Sequence, residues 1–126
     1  MASLIQTVLE DLFAKDSTEI DSGNLAELLG VSKKDLATAL KLDPSSLSRA
    51  NIAPTNHTMK SWLIIFNLFI DLAQQGEPNL SKENIQIKMG RWLKLPNTQL
   101  GNISPLEAML KGKARKVIHL LEQLNN

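Results

Sequence analysis

Cysteine and tyrosine are absent from this chain of 126 residues, and aromatic side chains make up only 4% of it. The lack of cysteine excludes a disulfide framework, a thiol nucleophile and a thiolate metal site. The scarcity of aromatic rings weighs against a surface on which nucleic-acid bases stack. His57 and His119 lie far apart in the sequence, and there is no glycine-rich phosphate loop and no Gly-x-Ser-x-Gly context. We therefore expect no catalytic residues, no metal ligands and no cofactor, and hence a protein that is not an enzyme.

The chain also lacks a long hydrophobic run. Its most apolar stretch, Trp62 to Ala73, is interrupted by Asn67 and Asp71 and is shorter than the about 20 residues that cross a bilayer. The first fifteen residues alternate between apolar and polar and include Glu10 and Asp11, which a signal peptide would not. These absences predict a cytoplasmic protein without a membrane partner.

The overall composition is that of one globular domain, with 43% hydrophobic and 21% charged residues. The net charge of +1 conceals an asymmetry. Residues 1–30 hold six acidic residues and one lysine, a net charge of −5, whereas residues 91–126 hold six basic and two acidic residues, a net charge of +4. Such blocks are usually solvated helix faces, but a basic segment beside an acidic one is also a weak indication of nucleic-acid binding.

Helical signals dominate the pattern of hydrophobic residues, and no segment shows the alternation of a strand. Apolar residues recur at helical spacing over 3–15, 25–29, 33–41, 60–75, 82–93 and 113–124. Capping residues, in two cases followed by proline at the first helical position, mark helix starts; they are Asn24, Ser32, Asp43-Pro44, Ser81 and Ser104-Pro105. The sequence predicts an all-α fold, a small helical bundle of seven or eight helices.

One segment has the spacing of a helix-turn-helix. Residues 32–51 read SKKDLATALKLDPSSLSRAN, which places two short helices on either side of a turn over 41–43. Leu36, Leu40 and Leu47 are apolar where the helices would cross, and Ala37 is small enough for a close approach. An ordinary α-helical hairpin has the same leucine spacing, so this pattern alone leaves DNA binding and a purely structural hairpin open.

Short polar side chains occupy the outer face of the second helix in this segment. Arginine and asparagine suit guanine and adenine edges in the major groove, and lysines at the start of the preceding helix suit phosphate. The predicted DNA-binding residues are Ser45, Ser46, Ser48, Arg49, Asn51, Lys33 and Lys34.

Two parts of the chain together resemble a known family. The segment GVSKKDLATALKLDPSSLSR resembles the start of the MbcA/ParS/Xre-type antitoxins, and RWLKLPNTQLGNISPLEAMLKGKARKVIHLLEQL is similar to the toxin-binding domain of that group. The resemblance covers roughly residues 25–126. At two positions where the family commonly has glycine, this chain has Lys41 and Asn102. The shared C-terminal positions are Trp92, Pro96, Asn97, Leu100, Gly101, Ser104, Pro105, Leu106, Leu110, Gly112, Val117, Leu120 and Leu121.

The resemblance implies an antitoxin of a type II toxin–antitoxin pair. Residues 1–60 would form an N-terminal helical region with an Xre-like helix-turn-helix that binds operator DNA and represses the antitoxin's own operon. Residues 61–126 would form a helical domain that neutralises a cognate toxin, in this group often a RES-type enzyme that consumes NAD. A basic run is the candidate surface for an acidic patch on the toxin; it consists of Lys111, Lys113, Arg115 and Lys116.

Self-association is a further expectation. A single helix-turn-helix reads few base pairs, so two copies about 34 Å apart would give useful affinity. The apolar stretch over 62–73 also offers more hydrophobic surface than one small domain easily buries. We therefore expect a homodimer. Two other functions remain open at this point: a stand-alone transcription regulator, and a helical protein-binding module with a degenerate helix-turn-helix.

Overall fold

The computed structural model describes residues 8–14, 17–43, 45 and 51–124. Within these ranges the protein is all-α, as the sequence predicts, and contains no β-strand. Two short 3-10 helices cover Glu10–Leu12 and Thr98–Leu100. The α-helices are α1 (Ser22–Leu29), α2 (Lys33–Leu40), α3 (His57–Gly76), α4 (Lys82–Lys94), α5 (Pro105–Leu110) and α6 (Ala114–Leu124). None of the helices in the described ranges is long and apolar enough to cross a membrane.

Helix α3 is the centre of the molecule. It packs against α2, α4 and α6, and its most extensive contact is with α6. Trp62 and Phe66, its largest inward side chains, are completely buried. The amphipathic α6 presents Val117 and Leu121 to this core, at the spacing of four residues that places side chains on one helix face.

The buried side chains form one continuous cluster. It runs from Val8 near the N-terminus to Leu121 in α6, so residues 1–60 and 61–126 contribute to the same core. Phe69 of α3 and Trp92 of α4 meet with ring centroids 5.4 Å apart and planes tilted by 40°, a favourable aromatic arrangement. This contact joins α3 and α4 within the core.

Most of the predicted helix starts are confirmed by a side-chain cap. The hydroxyl oxygens of Ser32, Ser81 and Ser104 each accept a hydrogen bond from the backbone N–H three residues later, at 3.0, 3.2 and 3.0 Å. Each bond satisfies one of the N–H groups that the first helical turn leaves free. Two predicted starts are wrong by a few residues. Asp21 rather than Asn24 caps α1, and α3 begins at His57, capped by Asn56, rather than at residue 60.

The amphipathic helix expected over residues 3–15 is interrupted before Phe13. Val8 is helical and Glu10–Leu12 forms a turn of the 3-10 type, but Phe13 is extended and bridges Ile20. Long-range pairing is the reason. Ile20 also exchanges two backbone hydrogen bonds of 2.8 Å with Ile52, and it is fully buried. Burial and pairing of the extended segment therefore outweigh the helical periodicity around Phe13.

The turn at 10–12 is tied to α1 and α4. The side-chain amide of Asn24 donates to the carbonyl of Asp11 at 2.5 Å, and that of Gln86 donates to the carbonyl of Val8 at 2.7 Å. Glu10 forms an ion pair with Lys82. The hydrogen bond to Glu10 and its negative charge raise the pKa of Lys82 above its ordinary value. Both side chains are largely exposed, so the pair positions the turn and adds little stability.

Candidate DNA-binding and partner-binding surfaces

The turn after α2 has a left-handed residue at its centre. Lys41 has φ 58° and ψ 42°. Its N–H donates to the carbonyl of Thr38 at 3.2 Å, and the N–H of Leu42 donates to the carbonyl of Ala37 at 2.9 Å. These two bonds make a Schellman motif, which usually has glycine at the left-handed position. Lys41 therefore adopts a backbone conformation that glycine usually occupies, at a cost of about 1 kcal/mol.

Described residues on either side of positions 46–50 make defined contacts. On the N-terminal side the Asp43 carboxylate accepts hydrogen bonds from the backbone N–H and the hydroxyl of Ser45, at 3.0 and 2.9 Å. This is the cap predicted for Asp43, and Ser45 is helical. On the C-terminal side the chain re-enters the core at Ile52, which is paired with Ile20.

Asn56, the N-cap residue of α3, contacts the same turn. Its side-chain oxygen accepts from the N–H of Met59 at 3.0 Å, and its amide donates to the carbonyl of Leu40 at 3.4 Å. The end of α2 is thus attached to the start of α3, which fixes the direction in which the chain leaves the core at residue 41.

The predicted DNA-binding residues are partly described. Lys33 and Lys34 are the first two residues of α2 and are exposed, and Ser45 and Asn51 are exposed as well. Neither lysine forms an ion pair within the part of the chain that the structure describes. Three predicted positions lie outside the described residues; they are Ser46, Ser48 and Arg49.

The C-terminal pattern folds into a compact loop. Asn97 and Ile103 form an isolated antiparallel bridge. Between them Gly101 and Asn102 are both left-handed, with φ 79° and 65°. Asparagine tolerates this conformation better than most residues, which explains how Asn102 occupies the left-handed position after Gly101. Ser104 then caps α5, with Pro105 at its first position.

Three of the four predicted toxin-binding residues line one shallow groove. The turn at Gly112 is left-handed and leads through Lys113 into α6, whose first turn carries Arg115 and Lys116. All three basic side chains are exposed. The fourth residue, Lys111, does not line this groove and forms an ion pair of 3.2 Å with Glu107. The complete lining consists of Gln99, Gly112, Lys113, Arg115, Lys116, His119, Leu120 and Gln123.

Sequence reasoning missed three polar residues of this groove, namely Gln99, His119 and Gln123. The two on α6 are four residues apart, and their side-chain nitrogens lie 3.2 Å from each other. The spacing of Arg115, His119 and Gln123 at four-residue intervals identifies one helix face and was available in the sequence. The contribution of Gln99, from the preceding loop, depends on tertiary structure. The groove therefore combines basic and amide side chains around the apolar side chain of Leu120.

The described residues contain no group of three or more histidine, aspartate or glutamate side chains placed to hold a metal ion. His57 begins α3 and His119 lies on α6.

Comparison of the chain with protein-family models finds no match, and comparisons with curated proteins and with solved structures find none either.

Proposed function

We propose that this protein is an antitoxin of a type II toxin–antitoxin pair, which binds operator DNA through the region of residues 33–51 and a cognate toxin through the groove at the start of α6. The observation that carries the proposal is the left-handed turn at Lys41, followed by the Asp43 cap on Ser45. A helix-turn-helix needs a short turn of defined geometry between its helices, and this turn is closed by hydrogen bonds on both sides.

Operator binding follows from what surrounds that turn. The exposed Lys33 and Lys34 at the start of α2 suit phosphate, because positive side chains and the free N–H groups of a first helical turn both attract anions. Residues 44–50 then supply the contacts to base edges, and Arg49 makes the main sequence-specific contact. A homodimer presents two such segments to one operator, which reads more base pairs than a monomer.

Toxin binding rests on the groove of α6. Lys113, Arg115 and Lys116 are exposed together, and all three lie on the lining of one groove. Three positive charges on one rim favour an acidic surface on the partner and accelerate its association. By the family resemblance, the partner is a RES-type enzyme, and the consumption of NAD belongs to that enzyme.

Co-expression with the product of the neighbouring gene tests the proposal. We expect the two proteins to purify as one complex, the neighbour to arrest growth when expressed alone, and the complex to shift DNA from the promoter of the gene pair. DNA binding without a bound neighbour would indicate a stand-alone regulator. A complex without DNA binding would indicate a protein-binding module. Either outcome would contradict the proposal.

A further inference from the structure

Helix α3 carries an apolar ridge on its outer face that nothing in the described molecule covers completely. Ile64 is 44% exposed, and Leu68 and Leu72 are only half-buried. These residues follow one another at intervals of four, so they form one continuous row along the helix, with a drift of about 40° per step. The opposite face of α3 contains Trp62 and Phe66 and is buried in the core.

Two opposite charges flank this ridge on the same side. Lys60 lies before Ile64 and Asp71 lies beyond Leu68, eleven residues later, which is close to three helical turns and a rise of about 16 Å. Lys60 is exposed and Asp71 is partly exposed. Neither forms an ion pair with any residue that the structure describes, and the Asp71 carboxylate accepts one hydrogen bond, from Gln75 at 3.2 Å.

We propose that this ridge is the dimer interface of the protein and that its occupant is α3 of a second copy, packed antiparallel about a two-fold axis near residue 66. The axis brings each Ile64 against Leu68 of the other copy. It also brings each Lys60 opposite Asp71 of the other copy, since the two charges lie at nearly equal distances on either side of residue 66. The ridge is thus complementary to itself in shape and in charge, as an isologous interface must be.

A parallel arrangement does not have this property. It would place Lys60 beside Lys60 and Asp71 beside Asp71, so like charges would repel at both ends. A different protein partner would need its own base and acid at the same separation, whereas a second copy supplies both by symmetry. The positions of the charges therefore select the second copy, in the antiparallel orientation, as the occupant.

This inference specifies the homodimer of the proposed function, but it is tested by oligomeric state alone, without DNA or toxin. Light scattering and sedimentation velocity on the full chain at about 100 µM should report about twice the mass of the 13.9-kDa chain. Ile64→Asp should raise the dissociation constant of the dimer at least tenfold. The matched control is Ile87→Asp on α4, because Ile87 is 52% exposed and lies outside the ridge. It should leave the dimer intact.

A charge exchange tests the orientation. Lys60→Glu or Asp71→Lys alone should raise the dissociation constant about tenfold, because each creates two like-charge contacts per dimer. The double variant Lys60→Glu with Asp71→Lys should restore the wild-type value. A restored dimer cannot result from a general loss of folding, and circular dichroism of each variant should show the wild-type helix content.

The absence of cysteine allows a direct test of proximity. Asn67 is exposed beside the axis, so Asn67→Cys should form a disulfide-linked dimer under mild oxidation, whereas Asn84→Cys on the exposed face of α4 should not. A monomeric wild-type protein, equal effects of the Ile64 and Ile87 variants, or a double variant no better than the single ones would overturn the inference. Operator and toxin binding are measured separately, so failure of this inference is distinguishable from failure of the proposed function.

Discussion

Lys41 is the residue at which local backbone preference and tertiary structure conflict. A lysine with φ 58° has its Cβ close to the neighbouring carbonyl, whereas glycine has no Cβ. Asn56 holds the carbonyl of Leu40 just before it, and Leu42 continues toward the core. The turn is kept in place by contacts on both sides, which compensate for the strain.

Replacement of Lys41 by glycine should therefore stabilise the protein by up to about 1 kcal/mol, because relief of strain outweighs the greater entropy of glycine in the unfolded chain. The change is measured as a shift in the urea concentration at the midpoint of unfolding, with an unchanged dependence of the unfolding free energy on urea. Asn102→Gly is the control at the second left-handed position, and its gain should be smaller because asparagine tolerates φ > 0. A loss of stability in Lys41→Gly would mean that the lysine side chain makes a compensating contact.

Arg49 and the two lysines of α2 should differ in their effects on DNA binding. If Arg49 reads a base edge, Arg49→Ala should cost about 1–3 kcal/mol and relax the sequence preference. Lys33→Ala and Lys34→Ala should weaken binding to all sequences alike and flatten its salt dependence, because their exposed positions at the start of α2 suit phosphate contacts. Titration of operator and scrambled DNA at several salt concentrations measures both. Equal, sequence-independent losses in all three variants would contradict the assignment of a recognition helix.

Among the elements, α5 depends most on its cap. It has only six residues, too few for helix propensity alone to keep it formed, yet Leu106 and Met109 on its inner face are buried. The hydroxyl of Ser104 satisfies the N–H of Glu107, and the end of α5 leads through Gly112 into the basic groove. The cap thus supports both the core and the position of Lys113.

Ser104→Ala should cost about 1 kcal/mol of folding stability, the usual value for loss of an N-cap. Ser104→Thr keeps a hydroxyl that can accept the same bond and should lose much less. Chemical denaturation of both variants gives the comparison. If both variants lost equal stability, packing around the half-buried Ser104 rather than its hydrogen bond would be responsible.

At the scale of the whole molecule, one core supports both candidate surfaces. Deletion of the chain from Pro78 onward would remove Met89, Leu93 and Val117 from the core beside α3. The truncated protein is therefore expected to unfold, and its failure to bind a toxin would say little about the groove. Substitution of exposed charges is the more informative way to separate the two surfaces.

Reversal of Lys113, Arg115 and Lys116 to glutamate should leave the fold intact, because exposed substitutions usually change stability by no more than about 0.5 kcal/mol each. It should slow toxin association and weaken neutralisation, since charge complementarity acts mainly on encounter, while operator binding persists. The readouts are growth rescue in cells and operator shift in vitro.

The control for this reversal makes the same change of charge on another face. Its three substituted residues, all replaced by glutamate, are exposed on α4; they are Lys88, Arg91 and Lys94. The α4 control variant should neutralise the toxin as well as the wild-type protein does. Loss of operator binding with neutralisation intact in the α6 variant would mean that the two surfaces are assigned the wrong way round.

The elements that could be predicted share one property, which is that their signals are local. The caps at Ser32, Ser81 and Ser104 and the left-handed glycines at 30 and 112 depend on residues within one or two helical turns. The amphipathic stripe of α6 is equally local, because the periodicity of the helix alone decides which side chains share a face. From these signals follow the all-α class and the exposure of Lys113, Arg115 and Lys116.

The remaining features required contacts between distant parts of the chain. Phe13 is extended because Ile20 pairs with it and with Ile52, a bond pattern that no window of sequence around Phe13 contains. The place of Gln99 in the groove arises in the same way. By itself the sequence determined most of the helices and three of their serine caps, together with the basic and apolar faces, since short-range sterics and periodicity suffice for those. Only the tertiary structure decided which faces are covered, because burial depends on what the rest of the chain places opposite each helix.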